Sequence, residues 1–448
     1  MENRKSDFLN GAILSPLLRF AGPVLLALFL QAMYGAVDLI VVGKFAGTAD
    51  ISAVSTGSQA MQLVTSLLVG LTTGVTVLLG QKIGEGKPDE AGSVVGSAIC
   101  LFVCVALALT ALLTVLTEPF CRLLQAPEEA FVPTAQYVRI CSAGTLFIVA
   151  FNVIGSVFRG LGDSKMPLIT VAIACVTNIF GDLLLVDVLQ MGAAGAALAT
   201  VFAQAISVIL SLLVIMRRKL PFTFRKEQLR FDQPLTAGIL RLGIPIALQD
   251  VLVGVSFLVI LAIVNSLGLL QSAGMGIAEK VCAFVMLLPS AFSQSVSAFV
   301  AQNTGAGKPE RAKKALRCGV IVSLCISVFV FYFNFFHGDL LAGIFANDRA
   351  VILEAADYLK AYAIDCLLTS FLFCFVGYFS GLGKTVFVMT QGILGAFGVR
   401  IPVSFAMSRL PNVRLFYIGL ATPCSTVVQV LLCLGYYAHL ARKERGKR

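Results

Sequence analysis

Four residues lie where polar chemistry is costly and therefore informative. Asp38 is the single charge after Arg19 in the apolar stretch from Leu17 to Val42. An ionisable group inside such a run is a functional candidate by default. Counting back from Gly43 along a helix puts its carboxylate roughly 8 Å below the helix end. Asn178 and Asp182 are four residues apart in another apolar run, so they share one helical face. Thr200 lies in the next run, which returns across the bilayer, and depth counting leaves Asp182 and Thr200 each about 12 Å inside. Two carboxylates, an amide and a hydroxyl at one depth suit a hard cation such as Na⁺, or a proton shared between carboxyl groups. The plain alternatives are snorkelling of Asp38 to the interface, and separate hydrogen-bonded pairs between helices.

In the second half of the chain Asp250, Glu279 and Asp365 also interrupt apolar runs, and Lys280 follows Glu279. An ion pair or a helix-end role for Glu279 stands against contact with a cationic substrate. Asp250 and Asp365 are weaker candidates for substrate binding or ion coupling.

The elements that position these residues are membrane helices. The chain has 448 residues, 58% hydrophobic and 13% charged, against about 25% charged in an ordinary soluble domain. Lipid offers no hydrogen-bond partners to the backbone, so the spans must be helices or a closed barrel. Runs longer than about 18 apolar residues exclude the alternating pattern of barrel strands. We count about twelve such runs, the first at 17–43 and the last at 412–440. The first is too long for the apolar part of a cleavable leader and reads as a signal anchor.

The net charge of +10 does not point to nucleic acid, because the basic residues fall mainly in short loops. Lys82, Lys87, Arg159, Lys165, the cluster from Arg217 to Arg230, Lys308 to Lys314 and the tail from Arg442 to Arg448 lie on one side, with Arg4 and Lys5; Lys44, Arg122, Arg349 and Arg414 lie on the other. The positive-inside rule then puts both termini in the cytoplasm. The twelve cysteines are scattered through apolar runs with no C-x-x-C pair, and read as small core residues rather than disulfides or metal ligands.

The chain is duplicated. RFAGP, with Arg19 and Pro23, returns as RLGIP with Arg241 and Pro245. GQKIGEGKPDEA, from Gly80, returns as AQNTGAGKPERA, from Ala301. Tyr137 pairs with Tyr358, and Gly160-Leu161-Gly162 with Gly381-Leu382-Gly383. The displacement is 221 or 222 residues throughout. Each half holds six spans, an even number, so the halves enter the membrane in the same sense. The expected architecture is an all-α polytopic membrane protein with twelve helices in two six-helix lobes, related by a pseudo-two-fold axis along the membrane normal and enclosing a central cavity. The N-lobe is residues 1–216, a basic cytoplasmic connector is 217–234, and the C-lobe is 235–448. Displacing Asp38, Asn178 and Asp182 onto the second half lands on Ile260, Val399 and Val403. A scaffold requirement common to both halves would leave polar residues in both, so the asymmetry favours function.

SGLGKT at 380–385 is not a phosphate-binding loop, since Tyr378 stands where the first glycine of that motif is needed and no strand precedes it. With no ATP site, pumping must draw on an ion gradient. H-E-x-x-H and G-x-S-x-G are absent, which argues against an intramembrane enzyme. A channel is not excluded, because duplication serves pores as well as carriers.

Together, the Pro23–Asp38 first helix, the GQ-x-x-G-x-G loop after the second, the FRGLGDSKMP segment at 158–167 and their echoes resemble the multidrug and toxic compound extrusion (MATE) family, and more closely its DinF-like than its NorM-like branch. The resemblance spans nearly the whole chain. It implies a coupling site at Asp38, Asn178, Asp182 and Thr200, holding H⁺ or Na⁺, and a hinge at Pro23. The NorM-like branch has acids on the seventh and tenth helices; Asp250 and Asp365 lie there but do not match by spacing. The expected function is an H⁺- or Na⁺-coupled antiporter in the cell membrane. It exports organic, often cationic and aromatic, compounds as a monomer with no resident cofactor. The second reading is a flippase for lipid or lipid-linked oligosaccharide, which should carry cationic residues in its cavity; the spans hold few.

Overall fold

The computed structural model describes residues 8–217, 220, 222 and 224–445. Arg4, Lys5, Arg218, Lys219, Lys447 and Arg448, which contribute to the topology reading, lie outside the described residues. The described chain is all-helical, and it is a polytopic membrane protein. Eleven helices are long and apolar enough to cross a bilayer, and a bent pair supplies a twelfth span.

In order, the spans of the first half are Leu14–Phe45, Thr48–Gly84, Pro88–Val115, the pair Glu128–Ala143 and Thr145–Gly160, Lys165–Val188 and Gly192–Arg217. Those of the second half are Gln233–Asn265, Leu269–Gly305, Pro309–Phe336, Arg349–Gly381, Thr385–Ser408 and Leu415–Arg445. Duplication is visible in the boundaries themselves. The second, third and fourth spans begin and end 221 residues before the eighth, ninth and tenth, as in Thr48–Gly84 against Leu269–Gly305. Proline at the first turn fixes the start of both the third and the ninth, where its missing N–H costs nothing.

The halves differ in two places that matter for chemistry. The fourth span bends by 54° at Gly144, whereas its counterpart Arg349–Gly381 runs unbroken. The position equivalent to Gly144 is Asp365. The fifth span is α-helical from Lys165 to Asp182 and then widens to a π-helix over Leu183–Val188. The eleventh widens earlier, over Leu394–Arg400.

The chain divides into two compact units. One takes Arg19–Ala247 with Ala301–Gly307 and the described residues up to Gly11; the other takes Ala12–Leu18, Leu248–Val300 and the chain from Lys308 onward. In the first, an apolar core gathers Val54, Leu68, Val75, Val94, Phe102, Tyr137 and Val186. In the second, Ile260, Met275, Tyr358, Leu359 and Ile418 do the same. The first unit also explains the repeated GQ-x-x-G-x-G loop. A Cβ on Gly84 would lie 2.0 Å from the Gln302 carbonyl oxygen, and one on Gly305 would lie 1.9 Å from that of Gln81. Each glycine is bare because the other turn's glutamine carbonyl occupies its side-chain space. Gln302 Nε2 donates to the Gly160 carbonyl at 2.9 Å and Asn303 Nδ2 to that of Phe8 at 3.1 Å, tying the same turn to two further segments.

Candidate functional site

The first helix carries Asp38 on a buried stripe. Pro23 lies inside the same helix, whose hydrogen-bond ladder therefore lacks one donor toward Arg19, yet the helix continues to Phe45. The fifth span delivers Asn178 and Asp182, both buried, and Asp182 is the last α-helical residue before the π stretch. Such π turns inside α-helices are common at functional positions, because the wider turn redirects the side chains around it. The sixth span brings Thr200.

All four residues predicted from the sequence meet. Asn178 Nδ2 reaches Thr200 Oγ1 at 3.5 Å, and Thr200 Oγ1 reaches Asp38 Oδ2 at 3.4 Å. The Asp38 and Asp182 carboxylates stand within hydrogen-bonding range of each other. The cluster is short of donors. The single Thr200 proton is shared with the Ala196 carbonyl, which is closer at 3.0 Å. Asp38 Oδ1, Asn178 Oδ1 and both oxygens of Asp182 are buried with no hydrogen-bond partner. Oxygens crowded without donors require a proton or a hard cation to be stable in low dielectric.

Residues that the sequence reading passed over frame this cluster. Tyr34 stands one turn before Asp38, within reach of Gln204, and Gln204 stands one turn after Thr200; the buried Tyr137 lies within electrostatic reach of both carboxylates. Gln204 Oε1 is another buried acceptor without a partner. The missed signal was spacing: Tyr34 with Asp38 and Thr200 with Gln204 are pairs four apart, as Asn178 and Asp182 are.

The second-half candidates divide. Asp250 is exposed, although Ile246 and Ala247, one turn before it, are buried. Glu279 lies within the helix Leu269–Val285 and forms no ion pair with Lys280. Glu279 and Asp365 both lie within electrostatic reach of Cys282. Asp365 is buried and its Oδ1 has no partner. Beside it is a residue the sequence reading did not single out, the buried Arg400.

The model of the family MatE matches residues 23–184 and, a second time, 245–406. The chain belongs to the MatE family. The two matches are the two halves of the duplication, and they begin at Pro23 and Pro245. The relatives compared align over 78% to 96% of this chain. The chain is 26% identical over 438 residues to the probable multidrug resistance protein YoeA of Bacillus subtilis, covering 96% of this chain and 94% of that protein. It is 26% identical over 355 residues to the FAD transporter of Shewanella oneidensis, covering 78% of each. The crystal structure of MATE in complex with MaL6 superposes with a TM-score of 0.93 at 17% identity, over 99% of this chain and 100% of that one, so the fold is the MATE fold.

Proposed function

We propose that this MatE protein is a cation-coupled antiporter that exports small organic compounds, with Asp38, Asn178, Asp182 and Thr200 as the site of the coupling H⁺ or Na⁺. The observation that carries the reading is the donor shortage there: buried carboxylates within hydrogen-bonding range, with Asp182 wholly without donors. A cation entering this cluster neutralises charge that otherwise attracts a cationic substrate, so the two compete for one electrostatic resource. Release of the substrate on one face then accompanies entry of the cation, and the cation leaves on the other. Pro23, with no N–H to return to the ladder, is where the first helix yields most easily as the charge of Asp38 changes.

The relatives' names support transport and leave the cargo open, since one is a probable multidrug resistance protein and another a FAD transporter. In this reading the protein is a carrier and not an enzyme, acts as a monomer without a resident cofactor, and sits in the cell membrane with both termini in the cytoplasm. The test is counterflow of a fluorescent organic cation in proteoliposomes under imposed pH or Na⁺ gradients, comparing wild type with Asp38→Asn and Asp182→Asn. Loss of gradient-driven efflux with substrate binding retained is the expected result. Undiminished efflux in both variants overturns the coupling role.

A further inference from the structure

We propose that Arg400 is the centre of an anion-binding site in the second half, one that takes the carboxylate or phosphate group of a small organic solute. The residue closes the π stretch Leu394–Arg400 of the eleventh span and is 6% exposed. Its guanidinium lies over the Phe257 ring, 4.4 Å from the centroid. Nη1 donates to Ser256 Oγ at 3.1 Å, and the Ser256 proton goes in turn to the Val253 carbonyl at 2.7 Å. Nε is buried with no partner. A guanidinium offers five N–H donors in one plane, and here a single hydroxyl answers them.

No carboxylate among the described residues forms an ion pair with it. Asp365 is its nearest electrostatic counterweight, yet Asp365 Oδ1 is also without a hydrogen-bond partner. Ser404, one turn beyond Arg400, presents one more buried hydroxyl oxygen with no partner. None of these oxygens is bonded to the guanidinium, which is left short of an acceptor. A buried charge without one is strongly unfavourable, and a planar fork is filled best by the paired oxygens of a carboxylate or phosphate. A lipid headgroup does not fit, because Arg400 lies eight residues, about 12 Å, inside the end of its span at Ser408. Phe257 covers one face of the guanidinium, so a ligand meets it in the plane of its N–H fork.

That the ligand is cargo rests on the transporter reading; that it binds does not. The experiment is therefore equilibrium binding to the purified full-length protein in a nonionic detergent, using 2-naphthoate and its uncharged amide, 2-naphthamide. Wild type is expected to prefer the acid at least about tenfold. Arg400→Gln is expected to bring that ratio close to one, with Arg400→Lys in between. Asp365→Asn removes the competing negative charge and is expected to tighten naphthoate several-fold, which keeps the test open should Arg400→Gln not fold. An equal affinity for acid and amide in wild type, a preference that survives in Arg400→Gln, or weaker naphthoate binding in Asp365→Asn overturns the proposal. So does Arg400-dependent binding of phosphatidylglycerol in nanodiscs with none of naphthoate. If counterflow fails while the naphthoate preference holds, the antiport reading falls and this site stands.

Discussion

Replacing Gly305 by alanine puts a methyl group where a backbone oxygen already sits. A Cβ there lies 1.9 Å from the Gln81 oxygen and 2.8 Å from its Cα, and the reciprocal Cβ on Gly84 lies 2.0 Å from the Gln302 oxygen. The obstacle is main chain, so no rotamer change relieves it. The turns must separate by about 1.5 Å to restore an ordinary contact near 3.4 Å. Each carbonyl also closes its own helix, Gln81 O accepting Glu85 N–H at 2.8 Å and Gln302 O accepting Ala306 N–H at 3.0 Å. Overpacking of this kind costs about 1–3 kcal/mol, roughly a 5- to 150-fold shift in a local opening equilibrium. Hydrogen exchange read by mass spectrometry at the amides of Glu85 and Ala306 should therefore accelerate by that factor in Gly305→Ala and in Gly84→Ala. The double variant should fall short of the sum, because the first methyl has already opened the gap. Gly254→Ala is the control: nothing lies within 4 Å of its Cβ in the seventh span. It should leave those amides unchanged and stabilise its helix by about 0.5–1 kcal/mol. Wild-type exchange in Gly305→Ala, or full additivity in the double variant, would refute the view that each glycine exists to admit the other turn's carbonyl.

Asp50 Oδ1 accepts the Ala193 N–H at 2.9 Å and so caps the sixth span from the start of the second. Asp50→Ala should cost about 1 kcal/mol and speed exchange over residues 193–196, and a change confined to the second span would contradict the cap. Asp357 receives Arg414 Nε at 3.2 Å, Arg414 Nη2, and the Phe416 N–H at 3.2 Å, which pins the turn before the last span. Asp357→Asn should make the bond after Arg414 a preferred site of limited tryptic cleavage, and unchanged cleavage would show the turn held by packing alone. Glu85 is raised by burial, but Lys87 and Lys82 outweigh this and hold its carboxyl below the usual glutamate value. A lowered pKa stabilises above the ordinary glutamate range and is lost as pH falls through it. The difference in unfolding midpoint between wild type and Glu85→Gln should thus be present at pH 7 in low salt, shrink toward pH 3, and vanish at high salt.

The duplication made much of this legible without coordinates. Span boundaries that repeat at 221 residues follow from Gln81 and Gln302, Pro88 and Pro309, and Gly160 and Gly381, because turn and cap residues are local and survive divergence. The meeting of Asp38, Asn178, Asp182 and Thr200 was also legible, since depth in a bilayer is a coordinate that counting residues supplies. What counting does not supply is rotation about a helix axis. Tyr137 served only as a repeat marker, and its reach to the two carboxylates is set by the rotation of its helix. The carbonyl contacts of Gly84 and Gly305 were hidden for another reason: glycine in GEG and GAG reads as turn chemistry, and a missing Cβ does not say what fills its place.

Arg400 was not singled out because basic residues in a membrane chain are read first as markers of topology. Its burial and its unpaired Nε contradict that reading. Its counterpart in the first half is Ile179, next to Asn178, so the fifth and eleventh spans carry opposite charge within about a turn of equivalent positions. The comparison of halves that marked Asp38 and Asp182 as functional asked where acids have no echo. The same question asked of buried arginines leads to Arg400, the one arginine among the described residues that is buried. Arg400 stands in one half and a buried acidic pair in the other, and each half folds its six spans without the other's charge, so neither is a requirement of the shared scaffold.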